Sequence, residues 1–283
     1  MLRCITSRVK RKRLIAPPPK TKTTDWTPVA SWYDQLVGES GSEYHREVVL
    51  PGVMRLLGAE KGQRVLDVAC GQGVLARLLA AKGVNVVGVE SARPLIEAAQ
   101  KYDTALPPDA PPPTYIVGDV RELDRLPVGR CDAAACILAI QNIHPIAPVL
   151  QGVASALKDH GRFVIVMMHP CFRGSKETSW GWDGTAVQYR RVDRYLLPRK
   201  SPIVAHPGSD PHTYTWTFHK PIEAYVKSLR QAGLLIDAIE EWPSHKTSQP
   251  GPRAAAENTA RKEIPMFMAI RAVKPLMNTD THR

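Results

Sequence analysis

A chain of 283 residues, 43% hydrophobic and 23% charged, can bury a sizeable core without disulfides or metals, which excludes a wholly disordered protein. Its net charge of +11 suggests nucleic acid only until the charge is located: residues 1–24 hold Arg3, Arg8, Lys10, Arg11, Lys12, Arg13, Lys20 and Lys22 with no acid, leaving +3 for the rest. No stretch approaches the roughly 18 apolar residues of a membrane span, and the basic opening lacks the roughly 7 to 15 residue apolar core of a secretory signal. The expectation is a soluble, cytoplasmic protein.

Residues 1–24 read as a basic, disordered tail that includes Pro17-Pro18-Pro19. An organellar transit segment or a contact arm for an acidic partner such as nucleic acid are the alternatives. The five cysteines, Cys4, Cys70, Cys131, Cys136 and Cys171, form no C-x-x-C pair and read as reduced thiols. Cys131 and Cys136 fall in an apolar run and are expected to pack rather than bind metal; no metal is expected.

In chain order, Trp26 to Leu57 reads as one or two helices packed against a sheet. Arg64 to Ala69 is a strand, the glycines that follow are a turn, and Val74 to Ala81 is a helix. A strand at Asn85 to Glu90 and a helix at Arg93 to Tyr102, with Pro94 in its first turn, complete a βαβ unit. Beyond the proline-rich stretch Pro107 to Pro113, strands are expected at Thr114 to Asp119 and Cys131 to Ile140, a helix at Ile146 to Leu157 and a strand at Gly161 to Met168. This alternation predicts an α/β fold with a mostly parallel sheet and helices on both faces, because parallel strands need crossover connections.

The rhythm breaks at residues 170–214, where Trp180, Trp182, Tyr189 and Tyr195 favour an ordered, substrate-covering insertion. A helix from Pro221 to Ala232 and strands near Leu234 to Ile239 and Met266 to Val273 follow. Ser244 to Arg253 reads as a polar connection.

Gly71-Gln72-Gly73-Val74-Leu75-Ala76 satisfies the dinucleotide pattern, so a nicotinamide enzyme has to be weighed. Asp67 argues against it. A carboxylate inside the strand would repel a pyrophosphate, whereas it attracts the ammonium or sulfonium of S-adenosylmethionine. Glu90, ending the second strand, can accept both ribose hydroxyls. Asp119, after the third, can accept the adenine amino group while Val120 offers a backbone amide. Three acids at three successive strand ends, beside a glycine turn, form one constellation.

With those residues, the chain resembles the class I S-adenosylmethionine-dependent methyltransferases over about Val48 to Val273. Their first motif is matched by Asp67-Val68-Ala69-Cys70-Gly71-Gln72-Gly73, with Ala69 where a glycine is common. The resemblance implies a seven-stranded Rossmann-like sheet whose last strand runs antiparallel, formed near Pro265 to Val273, and a single domain over residues 25–283. The segment Phe218 to Tyr225, continuing to Glu240-Glu241, resembles the small-molecule branch with its quinone-type enzymes. The expected cofactor contacts are Asp67, Ala69, Gly71, Gly73, Glu90, Ser91, Asp119, Val120 and Leu138, with Tyr44 and Arg46 as cofactor-carboxylate contacts by position.

In an open α/β sheet the reaction lies at the carboxyl ends of the strands, which selects the loops holding His144 and His169 as candidate general bases. Cys171 reads as a pocket-lining residue. The sequence Asn142-Ile143-His144-Pro145 departs from the motif of exocyclic amino methylases, which disfavours base flipping. Three alternatives stand beside a small-molecule methyltransferase: an RNA or protein methyltransferase using the basic tail, a noncatalytic cofactor-binding module, and a nicotinamide oxidoreductase.

Overall fold

The computed structural model describes residues 24–174, 177–184, 186–206 and 210–276. The basic tail residues at positions 1–23 lie outside the described residues.

Helices α1 (Ala30–Val37) and α2 (Leu50–Leu57) precede the sheet. In α2 the buried side chains Leu50, Val53, Leu56 and Leu57 recur at helical spacing, and Gly58 ends the helix in a left-handed conformation at φ 51°. The alternating core follows: β1 (Arg64–Val68), α3 (Val74–Ala80), β2 (Asn85–Glu90), α4 (Arg93–Tyr102), β3 (Thr114–Val117), β4 (Cys131–Ile137), α5 (Ala147–Ala156) and β5 (Leu157–Met168). Two antiparallel hairpins come next, β6 (Thr178–Asp183) with β7 (Val187–Val192) and β8 (Arg199–His206) with β9 (Asp210–His219). The chain then forms α6 (Ile222–Gln231), β10 (Leu235–Trp242), α7 (Ala254–Glu263) and β11 (Phe267–Val273).

The main sheet has seven strands in the order β10-β11-β5-β4-β1-β2-β3. The pairs from β3 across to β5 are parallel, and β11 runs antiparallel to both β5 and β10. Successive strand residues face opposite layers. Leu66, Val68, Val87, Val89, Phe163 and Ile165 meet α5 and α6, while Val65, Val86, Val164 and Val166 meet α2 and α3. A sheet buried on both faces explains the continuous apolar runs, each fully buried large side chain contributing about 1.5 to 3 kcal/mol. Cys131 and Cys136 are among those packed side chains.

The observed elements differ from the sequence reading in three places. The insertion is longer than 170–214, because β9 continues to His219. Its strands β6 and β7 are exposed or half-buried along their whole length, so neither a core face nor a helical period marks them. Helix α7 follows the polar connection Ser244 to Arg253 and has no counterpart in the sequence reading; only Ala260 in it is buried, which left no apolar stripe to detect. β5 starts at Leu157 rather than Gly161, with a register irregularity against β4 between Cys131 and Ala133.

Candidate active site

The carboxyl ends of β1, β2 and β4 open into a cavity of about 340 Å³. The turn after β1 curls away through left-handed residues at Ala69 (φ 58°), Gly71 (φ 54°) and Gly73 (φ 75°), bringing backbone to the cavity wall at Ala69 and Gly71. Leu138 after β4 is left-handed as well, at φ 52°, and lines the same space. Two non-glycine residues held in this sparsely populated region at one cavity mark a site whose backbone is over-determined by its surroundings.

Glu90 is buried at the end of β2 and spans the turn. Its Oε2 accepts the Gly71 amide at 3.2 Å, and its Oε1 accepts the Ala92 amide at 2.9 Å and the Ser91 hydroxyl at 3.2 Å. A carboxylate has about four acceptor sites, so it retains capacity toward the cavity that it and Ser91 line. Burial raises its pKa, and those amide bonds oppose the rise.

Asp67 lies deeper, 3% exposed, on a small adjoining cavity with His45, Gln72 and Tyr33. Its Oδ2 has no hydrogen-bond partner. Burial, reinforced by the charge of Glu90 and opposed by Arg77, pushes its pKa up to about 7. An acid this deep without a cation of its own is an unmet demand for a positive group.

Asp119 and Val120 line the large cavity from the end of β3. The Asp119 carboxylate accepts from the Arg121 amide at 2.9 Å and takes its guanidinium in a fork at 3.0 and 2.5 Å, which holds its pKa below the usual range.

Three expected contacts lie outside the lining of both cavities. Gly73 begins α3, and a Cβ there would collide with the Tyr115 hydroxyl, so it serves packing. The Tyr44 hydroxyl reaches Ser244 Oγ at 3.1 Å, and its ring packs edge-on against Phe267. Arg46 donates to the Gly41 carbonyl.

The two histidines also separate. His144 lines the large cavity, stacked on Phe218 with ring centroids 5.2 Å apart. Partial burial and then the charges of Lys220, Arg121 and Lys200 lower its pKa below 6.5, which keeps the imidazole neutral at pH 7. His169 is 1% exposed and has both ring nitrogens engaged. Its Nδ1 accepts the amides of Cys171 (3.2 Å) and Phe172 (3.3 Å), so Nε2 carries the proton and donates to Glu241 at 2.6 Å. With no free lone pair, His169 organises the turn after β5 instead of presenting a base.

A further chamber of about 210 Å³ lies beneath the insertion, walled by Asn142, Met168, Pro170, Arg173, Phe218 and Lys220 among others. Asn142 lines both this chamber and the large cavity.

Residues 42–200 match the profile of a family described as a methyltransferase domain. The chain belongs to that family. A ubiquinone biosynthesis O-methyltransferase of Bordetella parapertussis is 29% identical over 184 residues, covering 64% of this chain and 66% of the relative. One from Paracidovorax citrulli is 33% identical over 101 residues, covering 36% and 42%. The chain thus spans between about two fifths and two thirds of the length of these curated relatives. Among solved structures, an S-adenosylmethionine-dependent methyltransferase of Mesorhizobium loti superposes with a TM-score of 0.61 at 22% identity, over 83% of this chain and all of that one. The magnesium protoporphyrin IX methyltransferase of Synechocystis, solved with S-adenosylmethionine bound, gives 0.52 at 16% identity, over 86% and 90%. The fold is the Rossmann-like class I methyltransferase fold.

Several walls of the cavity were not named residue by residue in the sequence reading, which gave Trp26 to Leu57 only as an element of the kind that closes over a ligand. Thr24, Asp25, Trp26 and Tyr33 roof the cavity from the N-terminal side, with Thr24 Oγ1 donating to the Asn142 carbonyl at 2.8 Å and the rings of Trp26 and Tyr33 edge to face at 5.2 Å. Their signal was an aromatic pair at helical spacing, which in sequence is indistinguishable from core. Arg121 was hidden because its work, holding Asp119 and donating to the His144 carbonyl at 3.1 Å, is local to a short turn.

Proposed function

We propose that this chain transfers the methyl group of S-adenosylmethionine to the hydroxyl of a small-molecule acceptor. The observation that carries the reading is the buried, unpartnered Asp67 Oδ2 beside the left-handed turn Ala69 to Gly73. This donor set fits the cofactor: Asp67 would hold the ammonium of its methionine moiety, Glu90 the ribose hydroxyls, and Asp119 with Val120 the adenine. When bound, S-adenosylmethionine supplies an electrophilic methyl group on a sulfonium.

Methyl transfer is an in-line displacement, so the chain's task is to place the acceptor oxygen, exclude water and remove one proton. His144 is the base in this reading. It lines the cofactor cavity and stacks on Phe218, a wall of the acceptor chamber, and its lowered pKa keeps a lone pair free. The names of the curated relatives favour a hydroxyl on a small molecule over a macromolecule. Residues 25–283 would form the catalytic unit, in the cytoplasm, with the β6 to β9 insertion covering the acceptor.

Calorimetric titration with S-adenosylmethionine, S-adenosylhomocysteine and NAD tests the cofactor. Both sulfur compounds should bind, and Asp67→Ala should weaken S-adenosylmethionine by about 2 to 5 kcal/mol through loss of a buried ionic partner. Binding of NAD alone, or undiminished affinity in the variant, overturns the assignment.

A further inference from the structure

The chamber beneath the insertion carries positive charge that nothing in it balances. Lys220 is 8% exposed and lines the chamber. Its ammonium donates to two carbonyls, Ile143 O at 3.2 Å and Phe218 O at 3.4 Å, and lies 5.5 and 5.9 Å from the Phe218 and Tyr225 ring centroids, neutral partners that leave its charge unbalanced. Arg173 lines the same chamber; its Nε is buried without a partner, and its guanidinium carbon lies 5.1 Å from the Trp180 ring centroid, a ring shared with Arg190 at 5.0 Å. No aspartate or glutamate is among the described residues that line the chamber. Burial pushes the Lys220 pKa down to about 8, and burial together with Arg190 lowers that of Arg173, as expected when cations leave water unpaired. A lysine and an arginine aimed into one apolar chamber call for an anion, whose arrival would offset both desolvation costs.

At the wall toward the cofactor cavity the demand reverses. Gln141 and Asn142 both turn their amide nitrogens to the Leu138 carbonyl, at 2.7 and 3.4 Å. That leaves Gln141 Oε1 and Asn142 Oδ1 buried and without a donor. The remaining lining includes Met168, Pro170, Ile203, Phe218 and Tyr225, which suits an apolar ligand body.

We infer that the acceptor is a small hydroxy-carboxylate, its carboxylate bound by Lys220 and Arg173 and its hydroxyl held at the Gln141 and Asn142 wall, on the side of the cofactor cavity where His144 takes its one proton. The inference rests on the methyl-transfer reading for the identity of the neighbouring cavity, and on the chamber's own residues for the carboxylate.

The test compares salicylate with salicylamide, and mandelate with mandelamide, as ligands of the full chain saturated with S-adenosylhomocysteine. Each pair matches in shape and hydroxyl and differs in charge. At least one acid should bind about tenfold or more tighter than its amide. Lys220→Met and Arg173→Gln should each reduce that preference, Lys220→Arg should preserve it, and S-adenosylhomocysteine should bind all variants alike. Amides binding as tightly as acids, no acid binding to the loaded wild type, or a preference that survives both charge-removing variants overturns the inference. If S-adenosylhomocysteine does not bind while acids are still selected through Lys220, the carboxylate chamber stands and the cofactor assignment falls.

Discussion

The sheet from β1 to β4 and the insertion from β6 to β9 both wall a cavity, and they do it by opposite means. In the sheet, Asp67 sits one residue before the end of β1, Glu90 ends β2 and Asp119 lies two residues past β3, so the three acids are placed by where the parallel strands stop. In the insertion, position comes from cations laid on aromatic rings: Arg173 and Arg190 on Trp180, Lys200 on Trp216 at 3.9 Å, Arg253 of the neighbouring loop on Trp182 at 4.7 Å. The first architecture fixes where chemistry must lie; the second leaves that to side-chain pairing. In the proposed function the first region holds the cofactor and the second covers the acceptor.

The comparison breaks first at the histidines, which sit one on each margin. His144→Ala should lower turnover about 10² to 10⁴-fold while S-adenosylhomocysteine affinity holds, the range for loss of a general base. His169→Ala should instead cost about 1 to 3 kcal/mol of stability, because two amides and Glu241 lose their partner. Rate measurement at saturating cofactor, paired with urea unfolding, separates the two. A His144 variant at full rate would move the proton acceptor elsewhere.

The second prediction concerns pH. The Asp67 pKa is raised from 3.8 to about 7, so the folded chain binds that proton more tightly than the unfolded one. Its contribution to stability is full below about pH 4 and is lost as pH rises toward 7, at about 1.4 kcal/mol per unit across the window. Other carboxylates act in the opposite sense; Asp119 is held low by Arg121. The readout is therefore the difference between ligand-free wild type and Asp67→Asn, which should grow in the variant's favour from pH 4 to 7. Cofactor affinity should strengthen over the same interval as the carboxylate ionises. A constant difference would mean that Asp67 is already charged at low pH.

The same contrast explains what was legible in the sequence. Strand β2, helix α4 and the carboxylate positions followed from burial on both faces and from the rule that ligands sit at strand ends. Gly73 shows an ambiguity with a physical reason: a glycine needed for approach to a ligand and one needed for approach to Tyr115 look alike in sequence. Tyr44 is ambiguous in the same way, since position near a turn says nothing about which neighbour its hydroxyl finds, here Ser244. Lys220 and Arg173 were invisible as a pair because 47 positions separate them and only the insertion's path brings both to one chamber.

Gly73→Ala sharpens the packing side of this distinction. Its left-handed φ of 75° and the collision with Tyr115 should together cost about 3 kcal/mol, read as a lower unfolding midpoint. The cofactor affinity of the fraction that folds should change little, since Gly73 lines neither cavity.

Ala69 offers the smallest and most discriminating change. At φ 58° an alanine is strained by about 1 to 2 kcal/mol, which glycine would relieve, while the glycine loses about 0.4 to 1 kcal/mol through a freer unfolded chain. The net expectation for Ala69→Gly is a gain of about 0.5 to 1 kcal/mol in unfolding free energy. The alanine methyl works against this, because Ala69 packs on the core layer formed by Val68, Val89 and Ile140. A loss of more than about 1 kcal/mol would mean that this packing outweighs the backbone strain, since a buried methyl is worth about that much. A gain in stability with weakened S-adenosylmethionine binding would carry the argument further: the strained backbone at Ala69 would then be holding the turn in its ligand-ready shape, at the expense of the fold that supports it.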